Sequence, residues 1–172
     1  MMRSKTIISQ HFNETFVALK ETMALFNDEL FNKVPFDGSW TPGQVVEHII
    51  LSSSGFAKIL YAEVAPTDRE IEELVPRIKS DFLNFSSKMK SPDFISPAVK
   101  AYDQFELLSK VEKISKETIS AISALDLNQT CLAFELPGYG FLTRWEAVYF
   151  VIYHTQRHVH QLREMHRFFD LS

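Results

Sequence analysis

The sequence predicts an all-α fold: four main helices and a subsidiary one, joined by long irregular connections and packed as a bundle. Three observations predict it. Apolar residues recur at three- and four-residue steps through the long segments. Ser, Thr or Asp followed three residues later by Gln or Glu opens most of those segments, the pattern of a helix N-terminus. Stretches rich in Pro and Gly separate them.

In chain order, residues 4–32 read as one helix, with Phe12, Phe16, Leu19, Met23, Phe26 and Leu30 on its core stripe. His11 lies beside that stripe and receives no role. Residues 34–39 are a turn-rich break. Thr41 and Gln44 then form a capping box with Pro42 at the first helical position, starting a second helix that reaches about residue 61. Its apolar arc holds Val45, Val46, Ile49, Phe56, Ala57 and Leu60, with His48 on the margin. Ser52 and Gly55 flank His48 on the same side of the helix, one and two turns along, small residues that leave room beside it. Thr67 and Glu70 make a further capping box. It opens a helix carrying Ile71, Leu74, Ile78, Phe82, Phe85 and Met89, in which Pro76 marks a kink or a restart.

Residues 91–101, with Pro92 and Pro97, read as an irregular connection. Asp103 and Glu106 cap a helix to about residue 125 that points Phe105, Leu108, Val111, Ile114, Ile119 and Ile122 inward. Residues 127–142 are extended, a small hairpin and a turn around Pro137-Gly138. Thr143 and Glu146 form the capping box of the last long helix.

The bulk numbers bound the function. The 172 residues suffice for one domain, residues 1–172, and 45% hydrophobic content with fifteen Phe supplies its core. A formal net charge of −4 argues against a general nucleic-acid binder, which needs a basic stripe. The one cysteine, Cys131, excludes an internal disulfide and fits a reducing compartment. Neither a signal peptide nor a membrane span is visible, so a cytoplasmic protein without a membrane partner is expected.

The chemistry concentrates in the last helix. On a helical wheel His154 and His158 lie about 40° apart, one turn along, in the middle of the apolar stripe made by Ala147, Phe150, Val151, Leu162 and Met165. Buried imidazoles need partners, and a shared divalent metal is the usual one for a pair. His48, on another helix, is the third candidate, because bundles build metal sites from side chains on facing helices. Three neutral imidazoles suit Zn²⁺ or Ni²⁺ and leave a position open for water or substrate. The bland alternative is a set of core histidines bonded to buried backbone or carboxylate groups.

The neighbours narrow the chemistry. Residue 155 is Thr, so the general base of the His-Glu-x-x-His metalloproteases is missing. Glu47 lies about 100° round the helix from His48 and is a poor base. Gln161, at about −20° from His154, and Gln44, at about −40° from His48, are the candidates for supporting the ligands from behind. His160 and His166 point away from the pair. Cys131 reads as a small buried hydrophobe and Arg157 as a solvated cation.

These motifs resemble the DinB/YfiT-like superfamily. Trp40-Thr-Pro-Gly-Gln44-Val-Val-Glu-His48 is similar to that family's opening of the second helix, and His154-x-x-x-His158-x-x-Gln161 to its final-helix motif. Gly140-Phe-Leu-Thr143 is similar to its approach to that helix. The resemblance implies an up-down-up-down four-helix bundle, often a homodimer, with one divalent metal, Zn²⁺ or Ni²⁺, on His48, His154 and His158. It also implies a small-molecule substrate. Characterised relatives include transferases of low-molecular-weight thiols (bacillithiol, mycothiol or glutathione) and a maleylpyruvate isomerase. Thiol transfer to a small electrophile is therefore the expected activity. A metal-dependent hydrolase and a non-catalytic binding or stress-response module are its rivals.

Overall fold

The computed structural model describes residues 4–171; residues 1–3 and 172, counted above within the single domain, lie outside the described residues. The chain is predominantly helical, with a small three-stranded sheet. Helix α1 (Lys5–Met23) starts where the Ser4 side chain accepts the Thr6 N–H, and it buries Ile8, Phe12, Phe16, Leu19 and Met23 along one face. The helix expected over residues 4–32 breaks after Met23. Asn27 causes the restart: its side chain accepts the Leu30 N–H and caps a short second helix, α2 (Asp28–Phe31). Asn competes for backbone hydrogen bonds and so favours caps over helix interiors.

Helix α3 (Pro42–Ser53) has the expected capping box, with Thr41 Oγ1 accepting the Gln44 N–H and Gln44 Oε1 accepting the Thr41 N–H. The reading to residue 61 divides at Ser54-Gly55, where α4 (Phe56–Tyr61) begins. Ser52-Ser53-Ser54-Gly55 is a run of weak helix formers. The Thr67 capping box does not form. The Thr67 hydroxyl donates instead to the Asn128 carbonyl and lies 2.9 Å from the Thr130 hydroxyl. Helix α5 (Val75–Phe82) starts later, with Pro76 in its first turn, so that proline marks a start rather than a kink. Phe85 and Met89, expected on this helix, lie beyond its end and are about half exposed. Residues 91–101 are irregular apart from a 3-10 turn at Asp93–Ile95.

Helix α6 (Gln104–Ala124) is capped by Asp103, which accepts the Glu106 N–H. It buries Leu107, Val111, Ile114, Thr118, Ala121 and Ile122. Phe105, expected inward, is 77% exposed, and Leu108 and Ile119 are half-buried. The inward arc is thus rotated: it takes in Thr118 and Ala121, which a hydrophobicity pattern underweights, where α6 packs against α1 and α3.

The extended segment is an antiparallel sheet of order β1-β2-β3: β1 (Val64–Ala65), β2 (Thr130–Leu136) and β3 (Gly140–Thr143). The β2–β3 hairpin turns at Gly138, whose φ of 82° is the left-handed value that glycine tolerates. The third strand, β1, has only two residues and left no pattern to read. Among the described residues no helix is long and apolar enough to cross a membrane.

Strand β3 runs straight into α7 (Arg144–Asp170), which packs against α1, α3 and α5. Its first turn is held by one buried carboxylate. Glu146, fully inaccessible, accepts two hydrogen bonds from Arg69 at 2.6 Å, one from the Leu74 N–H at 2.8 Å, and one from the Thr143 N–H at 2.9 Å. The last closes the expected capping box with Thr143 Oγ1. Arg144 donates to the Leu60 and Asp126 carbonyls, tying the same turn to α4 and to the end of α6.

Glu146→Ala strands the Arg69 guanidinium and two backbone amides. It is expected to lower unfolding free energy by about 3 kcal/mol, the low end for a broken buried pair because Arg69 is partly exposed. Urea denaturation measures this, and a loss under about 1 kcal/mol would contradict the anchoring role. Cys131, on β2, is buried, and burial pushes its thiol up from 9.0 to about 11. The thiol should resist Ellman's reagent at pH 8 until the protein unfolds. Because the folded state raises this acid's pKa, its contribution to stability is complete below pH 9 and is lost as pH rises toward about 11. Rapid labelling of the native protein at pH 8 would refute the burial.

Candidate metal centre

His48 comes from the second turn of α3, and His154 and His158 from successive turns of α7. All three are buried, with 3%, 6% and 8% exposure. Their Nε2 atoms converge: His154 Nε2 lies 3.1 Å from that of His48 and 3.2 Å from that of His158. One nitrogen of each ring falls within 4.8 Å of the others.

The opposite nitrogens decide what this convergence means. His48 Nδ1 is 2.9 Å from the Ile95 carbonyl, which can only accept, so that nitrogen carries the proton. His158 Nδ1 is 2.8 Å from Gln161 Oε1, another acceptor. His154 Nδ1 is 3.3 Å from Ser52 Oγ, whose own proton goes to the Ile49 carbonyl at 2.9 Å. The Ser52 oxygen therefore accepts from His154. In the neutral rings, all three Nε2 atoms then present lone pairs to one point, with no donor between them. A proton could join one pair of nitrogens, but the pocket resists positive charge on the rings. Burial lowers the pKa of His48, opposed by the hydrogen bond it donates to the Ile95 carbonyl, which raises it. Burial, then the neighbouring His158, His48 and Arg157, holds His154 well below its ordinary value. Burial, then His48, brings His158 to about 3. A bare divalent cation satisfies all three lone pairs at once. Edge lengths of about 2.9–3.4 Å are what Nε2 atoms spaced around one ion at ordinary metal–nitrogen distances require.

The residues therefore fit a divalent metal, and the alternative of satisfied core histidines covers only their Nδ1 sides. Three neutral ligands leave the cation's charge uncompensated and at least one position open, which favours ionisation of a bound water or thiol. Trp40 lies 5.2 Å from His48, while Phe150 and Phe82 lie 5.6 and 5.8 Å from His154, ring centre to ring centre. These rings keep water from the ligands' flanks. The site faces a cavity of about 830 Å³.

The fold brings the three sequence-selected histidines together and sets Gln161 behind His158. Gln44 is placed differently. Its Oε1 belongs to the capping box and its Nε2 reaches the Ala98 carbonyl at 3.4 Å. The group behind His48 is the Ile95 carbonyl instead, with Ser91 Oγ at 3.4 Å. A backbone carbonyl from a remote loop leaves no trace in residue types. Ser52 was legible as a small residue one turn from His48, but its acceptor role was not. Arg157 is only partly exposed rather than freely solvated: it donates to the Phe82, Asn84 and Ser87 carbonyls and pins the chain leaving α5. His160 stacks on Phe85 at 3.9 Å, and His166 lies against Phe26 and Asp170, both away from the Nε2 cluster.

The DinB superfamily model matches residues 11–162. The chain belongs to the DinB superfamily. It is similar to the uncharacterized protein YuaE of Bacillus subtilis (strain 168), at 24% identity over 156 residues that cover 90% of this chain and 94% of the relative. No solved structure matches it. The matched span of this DinB-superfamily chain contains all three histidines and Gln161.

Tag-free protein is expected to take up about one Zn²⁺ or Ni²⁺ per chain, and a His154→Ala/His158→Ala double variant almost none, by elemental analysis. Gln161→Leu, which removes the acceptor behind His158, should weaken metal affinity by about 10- to 100-fold in a chelator competition. Unchanged affinity would show that Gln161 does not hold the ring.

Proposed function

We propose that this protein is a divalent-metal-dependent enzyme that transfers a low-molecular-weight thiol to a small electrophile. The observation that carries the reading is the convergence of three neutral, tautomer-fixed Nε2 atoms on one point beside a roomy cavity. A divalent cation, Zn²⁺ or Ni²⁺, held by His48, His154 and His158 supplies, when bound, the positive charge that lowers a thiol's pKa. Every other part belongs to the chain. Ile95, Ser52 and Gln161 keep the three lone pairs aimed inward. Trp40, Phe82 and Phe150 keep the surroundings dry, which strengthens the electrostatic effect.

In the net reaction the thiol proton passes to solvent and the sulfur lone pair forms a C–S bond to the electrophilic carbon. The leaving group departs with its bonding pair. The known chemistry of similar thiol transferases supports this choice of nucleophile. The reading further takes α1, α3 with α4, α6 and α7 as an up-down-up-down four-helix bundle, and the protein as a cytoplasmic homodimer.

The metal-loaded protein should consume an activated electrophile such as an aryl halide only when thiol is supplied. Removal of the metal with chelator, or His158→Ala, should reduce the rate at least about 100-fold, as loss of a central catalytic charge does. Chromatographic detection of the thioether product checks this. Equal consumption without thiol would overturn the transferase reading and point to a hydrolase.

A further inference from the structure

We infer that the cavity beside the three histidines selects an aromatic ligand, and that one wall, formed by Phe56, Phe82, Phe134, Tyr139 and Phe150, is its ring-binding subsite. The inference rests on the proposed function only for calling that ligand the electrophile. The wall is a connected array of rings. Phe134 meets Phe56 edge-on at 6.2 Å, Phe56 stacks on Phe150 at 5.2 Å, and Phe150 meets Phe82 edge-on at 5.3 Å. Phe82 continues to Tyr139 at 6.5 Å. Both Phe82 and Phe150 also touch His154. A ring held on this array therefore lies next to the point where the Nε2 atoms converge. Aromatic rings prefer offset-stacked and edge-to-face neighbours, and an array offering both faces and edges favours a flat ring over an aliphatic one.

The polar groups of the wall are already committed. The Tyr139 hydroxyl donates to Asp81 at 2.6 Å. Arg157, which also lines the cavity, directs its guanidinium to the Phe82, Asn84 and Ser87 carbonyls. The other described cations of the lining, Lys88 and Lys90, are exposed. The volume of about 830 Å³ is that of a small-molecule site, and the three histidines, Ser52 and Gln161 are among its polar lining.

The test is direct binding to metal-loaded protein by titration calorimetry, with two probes that share one methyl thioether: naphthylmethyl methyl sulfide and decahydronaphthylmethyl methyl sulfide. The naphthyl probe should bind about fivefold or more tighter than its saturated counterpart, from ring–ring contacts alone. Phe134, half-buried at the outer end of the array, tolerates change. Phe134→Ala should erase most of the aromatic preference and Phe134→Tyr should keep it. Equal affinity for the two probes, or an undiminished preference in folded Phe134→Ala, would overturn the inference. The wild-type ranking decides even if the alanine variant does not fold. No thiol transfer enters the measurement. Naphthyl selectivity without turnover would sink the transferase reading alone, and turnover without selectivity would sink this inference alone.

Discussion

Three neutral imidazoles whose lone pairs face one another define an arrangement that costs free energy until something positive sits between them. Each Nδ1 proton is drawn outward, to a carbonyl, an amide oxygen and a hydroxyl oxygen, so the rings cannot relieve the contact by changing tautomer. Nor can they relieve it easily by protonation, because burial opposes the charge. The rest of the structure serves this constraint. It holds two helices at the distance where Nε2 atoms meet, and it supplies three outward acceptors from three different places in the chain.

The phase of α7 is the more demanding requirement. A one-residue slip at its start would turn every side chain by about 100° and carry both histidines off the shared face. Glu146 prevents the slip. Its carboxylate binds the Thr143 amide, the Leu74 amide and Arg69 together, so the first turn has one way to sit. Arg144 adds bonds to the ends of α4 and α6. The fixed N-terminus is then read out two and three turns later as the positions of His154 and His158. Buried ion pairs add little net stability relative to apolar packing, and registry is their best-attested use. Here the pair stands at the place where registry matters most.

Much of this was legible in the residues. The histidine pair was visible because two polar residues stood in the middle of an apolar stripe, and the capping boxes at Thr41 and Thr143 because their side-chain chemistry is local. What stayed hidden was non-local. Thr67 has the same motif as Thr41, yet its hydroxyl is taken by Asn128 and Thr130, partners about sixty residues away. The turn of α6 that leaves Phe105 exposed depends on which small residues face α1 and α3. Gln44 sat on the correct side of His48, but its amide was already closed into its own capping box. Ring orientation at His48 is instead set by a backbone carbonyl in an irregular loop, a group every residue carries.

That loop links metal binding to the shape of the cavity. Residues 83–101 have almost no regular structure, and Met89, Phe94 and Val99 are about half exposed or more. Helix side chains hold the segment in place: Arg157 grips its start, the His48 Nδ1–H binds Ile95, and the Gln44 amide reaches Ala98. Two of those three residues belong to the site or border it directly, since His48 is one of the three clustered histidines and Arg157 lies one residue before His158. The cavity wall is thus fastened by the same helices that aim the lone pairs. A metal that fixes His48 also fixes the acceptor of its outer proton, and the loop that shapes the cavity orders the ligand. The geometry of the three histidines and the shape of the cavity are consequently one mechanical unit in this protein, assembled from α3, α7 and the connection packed against them.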